Sequence, residues 1–353
     1  MSRFLSSRYC ALNAYVPGEQ PSDVDYIKLN TNESPFPPPE RIAKAAGNEL
    51  KKLNLYPDPD GARLLKKLAE FYKVKPENVM IGNGSDELLA FSFLAFMKDG
   101  VVFPDITYGF YPVYAELYDV SYKQIPLLDD FTINPKDYIS VGKNVVIANP
   151  NAPTGIALEI DEIEAITRSN KNHIVIIDEA YIDFGGKSGI QLTQKYENLL
   201  VIQTYSKSRS MAGARLGFAI GAAPLIDDLN KMKYSFNPYN VNRLTQITGE
   251  AALDEEVYYR DKRREIIETR EYTEKRLGEL GFIMTNSSAN FLFGKHPEID
   301  GFRLYTKLKD MGILVRQWNK PRISDYIRIT IGTKKQMDAL ISATKIILAE
   351  SNH

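Results

Sequence analysis

The chain has 353 residues, of which 44% are hydrophobic, and its 44 Lys and Arg residues almost balance its 45 Asp and Glu residues. A chain of this length can bury a substantial core and favours two domains over one. The near-neutral charge excludes a global field that would recruit nucleic acid or an anionic membrane. Any phosphate must therefore be bound by a local site.

The cysteine and histidine residues further restrict the kinds of site that the protein can contain. The single cysteine, Cys10, excludes an internal disulfide, and the histidines His173, His296 and His353 lack the spacing of metal ligands. The first 30 residues contain no apolar run of signal-peptide length, and no stretch reaches the roughly 20 apolar residues that span a bilayer. We expect a cytoplasmic protein without a metal, a nucleic-acid partner or a membrane partner.

Residues 1–30 are rich in turn residues and predict an arm that packs on a small domain or on a partner subunit. Residues 31–240 alternate short β-branched runs with helical patterns such as 86–97 and 161–169, which predicts an α/β fold. The fold would be a large domain with a mostly parallel central sheet and helices on both faces. Its expected strands are 79–81, 101–103, 145–148, 174–177, 199–202 and 216–220.

Residues 241–353 have a different pattern. A charged helical stretch at 255–280 precedes short apolar runs and a closing helix. The expected strands lie at 290–293, 313–316 and 326–331, and the helix at 334–348. This part predicts a smaller α+β domain.

Polar residues stand at the ends of the apolar runs of the predicted sheet. Asp178 follows the run 174–177, Lys207 follows the run that begins at 199, and Arg215 precedes the run 216–220. In open α/β sheets ligands bind beyond the carboxyl ends of the strands. Asp178 alone is equally consistent with a helix cap or a sheet-end ion pair. Together, an amine, a carboxylate and a guanidinium match a pyridoxal-phosphate (PLP) site, because PLP needs an imine-forming lysine, a carboxylate at its pyridine nitrogen and donors for its phosphate.

Two further segments suit the same site. The turn 82–87 contains Gly84, Ser85 and Asp86 before an apolar helix, and such a helix N-terminus favours an anion. Its simpler interpretation is a tight turn capped by Ser85 or Asp86. Tyr108 follows another strand, where it is either a core residue or a ring that stacks on the pyridine.

The order of seven motifs carries a resemblance to a known family: KLNTNESP at 28–35, YPDPD at 56–60, GNGSDE at 82–87, DEAYIDF at 178–184, YSK at 205–207, AGARLG at 212–217 and RITIGT at 328–333. From about residue 15 to its end the chain resembles the PLP-dependent transferases of fold type I, specifically the class II aminotransferases. The first two motifs and the last resemble the histidinol-phosphate aminotransferase family. The resemblance implies PLP as cofactor and transfer of an amino group from L-histidinol phosphate to 2-oxoglutarate in histidine biosynthesis.

The resemblance also implies roles in cofactor binding. Lys207 would be the Schiff-base lysine and proton shuttle, Asp178 would pair with the pyridine nitrogen, and Tyr181 would pair with the phenolic oxygen. Tyr108 would stack on the ring. The other cofactor-binding residues would be Gly84, Ser85, Asp86, Ser206 and Arg215, with Tyr56 contributed by a second subunit, so that a homodimer shares its active sites.

For the substrates, the resemblance implies that Arg328 binds the α-carboxylate of glutamate and that Arg316, together with Tyr15, meets the distal phosphate or carboxylate. Asn32, in the first motif, is placed with the substrate-binding residues. Arg316 and Arg322 are also consistent with surface ion pairs to acids such as Asp310 or Asp325.

The sequence departs from the family pattern at two loops. The family turn Asn-Pro-Thr-Gly has Ala152 in place of its asparagine, and Asn151 is our expected substitute, with Asn149 as the alternative. The loop 208–211 after the lysine is more polar than the common form.

Two other classes of function are less consistent with the sequence. The sequence contains neither Gly-x-x-x-x-Gly-Lys-Ser/Thr nor a strand-linked Gly-x-Gly-x-x-Gly, which disfavours a nucleotide-binding protein. The presence of Lys207, Asp178 and Arg215 together disfavours a non-catalytic binding module. Within PLP enzymes, an aromatic amino-acid aminotransferase and a threonine-phosphate decarboxylase stay open, because they share nearly all of the cofactor motifs.

Overall fold

The computed structural model describes residues 2–21 and 25–351, so His353 lies outside the described residues. The strands are β1 (Ile27–Lys28), β2 (Val79–Asn83), β3 (Val101–Pro104), β4 (Tyr122–Ile125), β5 (Asn144–Ala148), β6 (Val175–Asp178), β7 (Leu199–Thr204), β8 (Leu216–Gly221), β9 (Ile283–Met284), β10 (Phe291–Lys295), β11 (Ile313–Leu314), β12 (Arg316–Gln317) and β13 (Ile327–Thr330).

The helices are α1 (Glu40–Glu49), α2 (Ala62–Tyr72), α3 (Gly84–Phe96), α4 (Phe110–Tyr118), α5 (Ile160–Ser169), α6 (Ala223–Phe236), α7 (Arg243–Leu253), α8 (Glu256–Gly278), α9 (Gly301–Asp310) and α10 (Lys334–Ser351). In the part of the chain that the structure describes, none of the helices is long and apolar enough to cross a membrane.

The central sheet has seven strands in the order β2-β8-β7-β6-β5-β3-β4. All neighbouring pairs are parallel except those of β8, which runs antiparallel to both β2 and β7. The first residues of β8 therefore lie at the same edge as the last residues of β2 and β7. This mostly parallel sheet confirms the predicted fold class.

Side chains of the central strands alternate between two buried cores. In β6, Val175 and Ile177 face the core that contains residues of α2, α5 and α7, whereas Ile176 faces the core that contains residues of α3, α4 and α6. Successive side chains of a strand point to opposite faces, so a continuous apolar run is what a sheet buried on both faces requires. Helices on both faces are thus confirmed.

The small domain is built on a four-stranded antiparallel sheet, β12-β13-β10-β9, with residues of α8, α9 and α10 in its core. The N-terminal strand β1 pairs in parallel with β11, which attaches the start of the chain to this domain. The expected single strand 313–316 is wrong: β11 and β12 belong to different sheets, with the buried Val315 between them.

Candidate active site

The carboxyl-terminal edge of the central sheet carries one cavity that gathers residues from several strand ends. Its lining residues are Ser85, Asp86, Tyr108, Ala148, Ala152, Asp178, Ala180, Tyr181, Thr204, Ser206, Lys207 and Arg215. The antiparallel direction of β8 explains why Arg215, which precedes its strand, lies beside residues that follow theirs. Seven of these residues were predicted from the sequence as site residues in addition to Lys207.

Asp178 is the last residue of β6 and is buried at the floor of the cavity. Its Oδ2 accepts a hydrogen bond from the Tyr111 hydroxyl (2.9 Å), and its Oδ1 accepts one from the Ala180 N–H (3.2 Å). Burial raises the pKa of Asp178 to about 6 against the effect of these donors. A cation beside this carboxyl, such as a protonated pyridine nitrogen, would favour its ionised form.

Lys207 follows β7 on a short buried loop. Its Nζ donates a long hydrogen bond to the Thr31 carbonyl (3.4 Å) and lies 5.8 Å from the centre of the Tyr181 ring. The Tyr181 hydroxyl accepts a hydrogen bond from Asn32 Nδ2 (2.9 Å). The amine and the phenol therefore meet in one part of the cavity, with the segment that contains Thr31 and Asn32 over them.

Asn32 is oriented by the small domain. The residue has a left-handed backbone (φ 56°), and its Oδ1 accepts a hydrogen bond from the Thr330 hydroxyl at the end of β13 (3.0 Å). Because the oxygen is occupied by a donor, the amide nitrogen must face Tyr181. This contact between the first and last predicted motifs joins the two domains at the site.

The start of α3 and the start of β8 form a cradle for an anion. Gly84 has φ 77°, a backbone conformation that favours glycine, and a Cβ there would lie 2.5 Å from Arg215 Nη2. The first turn of α3 presents its free N–H groups and positive dipole end to the cavity. Ser206 Oγ accepts a hydrogen bond from Thr204 (2.9 Å), which orients it beside this cradle.

Asp86 lies at the rim of the cradle and contacts two other predicted residues. Its Oδ2 pairs with Arg215 Nη2 (3.0 Å), and its Oδ1 accepts a hydrogen bond from the Tyr108 hydroxyl (2.6 Å). Tyr108 packs edge-on against Tyr111, with ring centres 5.7 Å apart. Asp86 therefore positions both the guanidinium and the aromatic ring.

The side chain of Asn151 is engaged inside its own loop rather than in the cavity. Its Nδ2 donates to the Ile106 carbonyl (2.9 Å) and to Thr154 Oγ1 (3.1 Å), and its Oδ1 accepts from Thr107 (2.8 Å). Asn149 is likewise used by the loop, because its Oδ1 accepts from the Leu158 N–H (2.7 Å). The methyl group of Ala152 faces the cavity in the place of an amide.

Arg328 lies half-buried on β13 between two aromatic rings. Its guanidinium carbon lies 5.3 Å from the Phe291 ring centre and 5.2 Å from that of Trp318. Its Nη2 donates to the Asn30 carbonyl (2.8 Å), whereas its buried Nε has no hydrogen-bond partner among the described residues. Burial lowers the pKa of this guanidinium from its ordinary value, and one donor is left for a ligand.

Arg316 stands opposite Arg328 in the β12–β13 pair. Its guanidinium donates to the carbonyls of Val16 and Pro17 (both 3.2 Å) and lies 5.5 Å from the Trp318 ring. Tyr15 precedes these two residues, stacks on Phe110 and lies within electrostatic reach of both arginines.

Two other predicted residues lie away from this cavity. Arg322 pairs with Asp105 (3.0 Å) and donates to the carbonyls of Leu127 and Leu128, so it is an ion-paired residue, although with a different acid from those expected. Tyr56 is 76% exposed and stacks on Tyr239 at 4.5 Å.

The residues present fit PLP. A buried carboxylate, an amine, an anion cradle that a Cβ would fill and a phenol supplied with a donor correspond to the ring nitrogen, the aldehyde, the phosphate and the phenolic oxygen of that cofactor. Among the described residues, no group of three or more His, Cys, Asp or Glu side chains is arranged to hold a metal ion.

Comparison with known proteins agrees with this chemistry. The family of class I and II aminotransferases matches residues 24–343. The chain belongs to the class I and II aminotransferases. A protein of Brachyspira hyodysenteriae named histidinol-phosphate aminotransferase is 51% identical over 352 residues, 99% of each chain. A protein of Marinomonas sp. with the same name is 48% identical over 98% of this chain and 100% of its own length.

Among solved structures, a histidinol-phosphate aminotransferase from Sinorhizobium meliloti in complex with pyridoxal-5'-phosphate superposes with a TM-score of 0.87 over 97% of this chain and 98% of that chain. At 22% identity, this likeness shows the shared fold. The chain is therefore a PLP-dependent transaminase, as its motifs predicted. The relatives confirm its resemblance to histidinol-phosphate aminotransferases.

Sequence reasoning missed three residues of the aminotransferase site. Tyr111 holds Asp178, Thr204 orients Ser206, and Trp318 packs on both Arg316 and Arg328. Tyr111 lies in the first turn of α4, three residues after the predicted Tyr108. Trp318 gave no signal, because its partners come from β12 and β13.

Proposed function

We propose that this aminotransferase transfers the amino group of L-histidinol phosphate to 2-oxoglutarate, forming imidazole acetol phosphate and glutamate in histidine biosynthesis. The observation that carries the proposal is the pair of guanidinium groups on β12 and β13, with a free buried Nε on Arg328. Histidinol phosphate brings a phosphate and glutamate brings two carboxylates, and guanidinium groups bind both kinds of oxyanion. The relatives at 51% and 48% identity support the same substrate.

The bound cofactor supplies an electron sink for the substrate α-carbon. Lys207 Nζ would hold the cofactor, and the same amine would serve as the acid and base for the proton at the substrate α-carbon. Asp178 keeps the pyridine nitrogen protonated, since its carboxylate, held by Tyr111 and the Ala180 N–H, supplies a fixed negative charge.

Tyr181 would donate a hydrogen bond to the phenolic oxygen of the cofactor. Its hydroxyl oxygen accepts from Asn32, so its own O–H remains available as a donor. Asn32 therefore acts through Tyr181. Because Asn149 and Asn151 are engaged in their loop, we propose that neither donates to the cofactor and that Tyr181 is the donor at this oxygen.

The phosphate is bound by the first turn of α3, at Gly84 and Ser85, together with Ser206 and Arg215. Asp86 fixes the direction of the Arg215 guanidinium through their 3.0 Å ion pair. Tyr108, tied to the same carboxylate, supplies an aromatic face beside the pyridine ring.

At the substrate end, Arg328 binds the α-carboxylate of glutamate and Arg316 the distal group, with Tyr15 beside it. Arg316 is tied by two hydrogen bonds to the segment that follows Tyr15, so the arm and the distal cation form one surface.

The proposal includes a homodimer in which Tyr56 reaches the phosphate of the partner's cofactor. This exposed tyrosine does not line the cavity of its own chain, and Arg243 Nη2 donates to its carbonyl, which fixes the backbone that presents it. A cytoplasmic location is also part of the proposal, because the exposed thiol of Cys10 is compatible with a reducing compartment.

The experiment is a half-reaction screen. The holoenzyme is mixed with histidinol phosphate, phenylalanine, tyrosine or threonine phosphate, and conversion of the cofactor to its amino form is followed by absorbance. We expect histidinol phosphate to give the highest kcat/KM. A higher value for phenylalanine or tyrosine would instead indicate an aromatic aminotransferase, and loss of carbon dioxide from threonine phosphate would indicate a decarboxylase.

A further inference from the structure

The loop that follows Lys207 contains three consecutive polar residues, Ser208, Arg209 and Ser210. Ser208 and Arg209 are buried, with Arg209 only 3% exposed. A polar side chain in the interior is costly unless it has a partner. Each of the three side chains has one, and the three partners lie on different segments of the chain.

The two serines connect the loop to segments that carry site residues. Ser208 donates to Asp183, two residues after Tyr181. Ser210 donates to Ser34 Oγ (2.8 Å), two residues after Asn32. The lysine loop is thus attached to both members of the Tyr181–Asn32 pair.

Arg209 connects the loop to the small domain. Its guanidinium lies 5.1 Å from the Phe71 ring, 5.3 Å from the Tyr205 ring and 5.7 Å from the Tyr259 ring. Its Nη1 donates to Glu256 Oε2 (3.2 Å) at the first residue of α8. Glu256 also forms an ion pair with Arg263, about two turns further along the same helix.

An aromatic box of this kind would accept an apolar side chain equally well. Replacing a buried ion pair by packed apolar residues is often neutral or stabilising, so net stability does not explain a charge at this position. A planar guanidinium stacked among rings and bonded to a carboxylate has, however, one preferred position. Since Arg209 is two residues from Lys207, that position sets where the lysine backbone lies.

We propose that Arg209, held by Glu256, is a positioning residue that fixes Lys207 relative to Asp178 and Tyr181. This inference rests on the assignment of Lys207 in the proposed function. The ion pair makes the direction of the lysine depend on α8, because the guanidinium of the buried Arg209 cannot move away without losing its hydrogen bond to Glu256.

The test compares Arg209→Met and Arg209→Lys with a matched control, Arg263→Met. The control removes the other arginine of Glu256 and does not touch the lysine loop. Three quantities are measured: the Kd of PLP for the apoprotein, the pH midpoint of the absorbance of the bound cofactor, and amide hydrogen exchange of residues 205–211 in the apoprotein.

We expect Arg209→Met to weaken PLP binding and to speed exchange of 205–211 by roughly tenfold or more, the effect of one lost charge-assisted hydrogen bond. The pH midpoint should shift, and Arg209→Lys should recover part of each effect. Arg263→Met should leave all three quantities at wild-type values.

Equal behaviour of Arg209→Met and Arg263→Met in the three measurements would overturn the proposal. If Arg209→Met does not fold, Glu256→Gln replaces it in the same comparison, because it leaves the guanidinium in its box and removes the charge of its ion-pair partner. Failure of the wild-type protein to form a borohydride-stable bond at Lys207 would instead refute the proposed function, and that result does not involve Arg209.

Discussion

At the scale of single residues, the buried carboxyl of Asp178 shows how strongly its surroundings change the pKa of an acid. Two hydrogen-bond donors favour its ionised form, yet burial dominates and raises its pKa to about 6. The neighbouring Glu179 is also buried, and burial raises its pKa to about 7 despite donors from Ser188, Gly189 and Gln203. Both carboxyls therefore bind protons more tightly in the folded apoprotein than in the unfolded chain.

The sign of the resulting pH dependence follows from linkage. A carboxyl with a raised pKa stabilises the folded state fully below the unfolded pKa of about 4, and this contribution is lost as the pH rises through the folded value. The free energy of unfolding of the apoprotein should fall between pH 4 and 7. Asp178→Asn should remove about 2–3 kcal/mol of this fall, mainly below pH 6.

Urea unfolding of the apoprotein at several pH values measures this effect. Glu179→Gln serves as the comparison, because it should remove the part of the decrease in unfolding free energy that extends to about pH 7. If the free energy of unfolding fell equally with pH in the wild-type protein and in Asp178→Asn, that result would contradict the raised pKa of Asp178.

The substrate arginines give a second residue-scale prediction. Arg328→Ala should reduce kcat/KM for glutamate by about ten- to a hundredfold, and by more than for histidinol phosphate, which has no α-carboxylate, because a charge-assisted hydrogen bond contributes about 1.5–3 kcal/mol. Arg322→Ala is the control, since its guanidinium is used by Asp105 and two backbone carbonyls. Steady-state kinetics with both donors decides: an equal loss in the two variants would disprove the role of Arg328.

Site residues at the ends of strands could be predicted from the sequence, whereas the hydrogen-bond partners of loop residues could not. Asp178, Lys207 and Arg215 each interrupt an apolar pattern at a sheet edge, which the sequence displays directly. The engagement of Asn151 depends on Ile106, Thr107 and Thr154, and only folding brings these groups together.

At the scale of elements, the antiparallel β8 brings its glycine into contact with the start of α3. A Cβ on Gly217 would lie 2.5 Å from the backbone C of Gly84 and 2.5 Å from the backbone N of Ser85. These are backbone atoms of the anion cradle and have no side-chain freedom with which to move aside. The shape of the cradle therefore requires a residue without a Cβ at position 217.

Gly217→Ala should separate β8 from α3, destabilise the protein by about 1–3 kcal/mol and weaken PLP binding. Gly213→Ala is the matched control, because nothing lies within 4 Å of the Cβ that it would add. Urea unfolding and PLP titration of the apoprotein are the measurements. Unchanged PLP affinity in Gly217→Ala would show that the contact does not shape the cradle.

The sequence predicted the buried strands better than the edge strands. β4 was missed because its residues Tyr122, Lys123 and Gln124 are exposed and give no apolar run. The region 313–316 was assigned to one strand because its apolar residues are continuous. It divides between two sheets, since Ile313 and Leu314 pair with β1 whereas Arg316 pairs with β13.

At the scale of the whole molecule, the shared active site of the proposed homodimer can be tested by complementation. Lys207→Ala and Tyr56→Ala protomers are co-expressed, and each variant alone should be nearly inactive. A mixed dimer would contain one site with both Lys207 and the other subunit's tyrosine intact. Random pairing should therefore restore about a quarter of the wild-type activity.

The control pairs Lys207→Ala with Asp178→Asn protomers. Both residues belong to the same cavity of one chain, so no mixed dimer contains an intact site and activity should not return. Transaminase activity of the purified mixtures is the measurement. If the Tyr56 mixture stays as inactive as this control, each subunit works without the tyrosine of the other.

Trp318 is the only tryptophan of the chain, and its ring lies 5.5 Å from the guanidinium carbon of Arg316 and 5.2 Å from that of Arg328. All indole fluorescence of the protein thus originates beside the two cations that we assign to the substrate. Titration of the apoprotein with inorganic phosphate should change this emission in the wild-type protein and leave it unchanged in Arg316→Ala. The molecule carries its own optical probe, which reports the arrival of an oxyanion without label, cofactor or turnover.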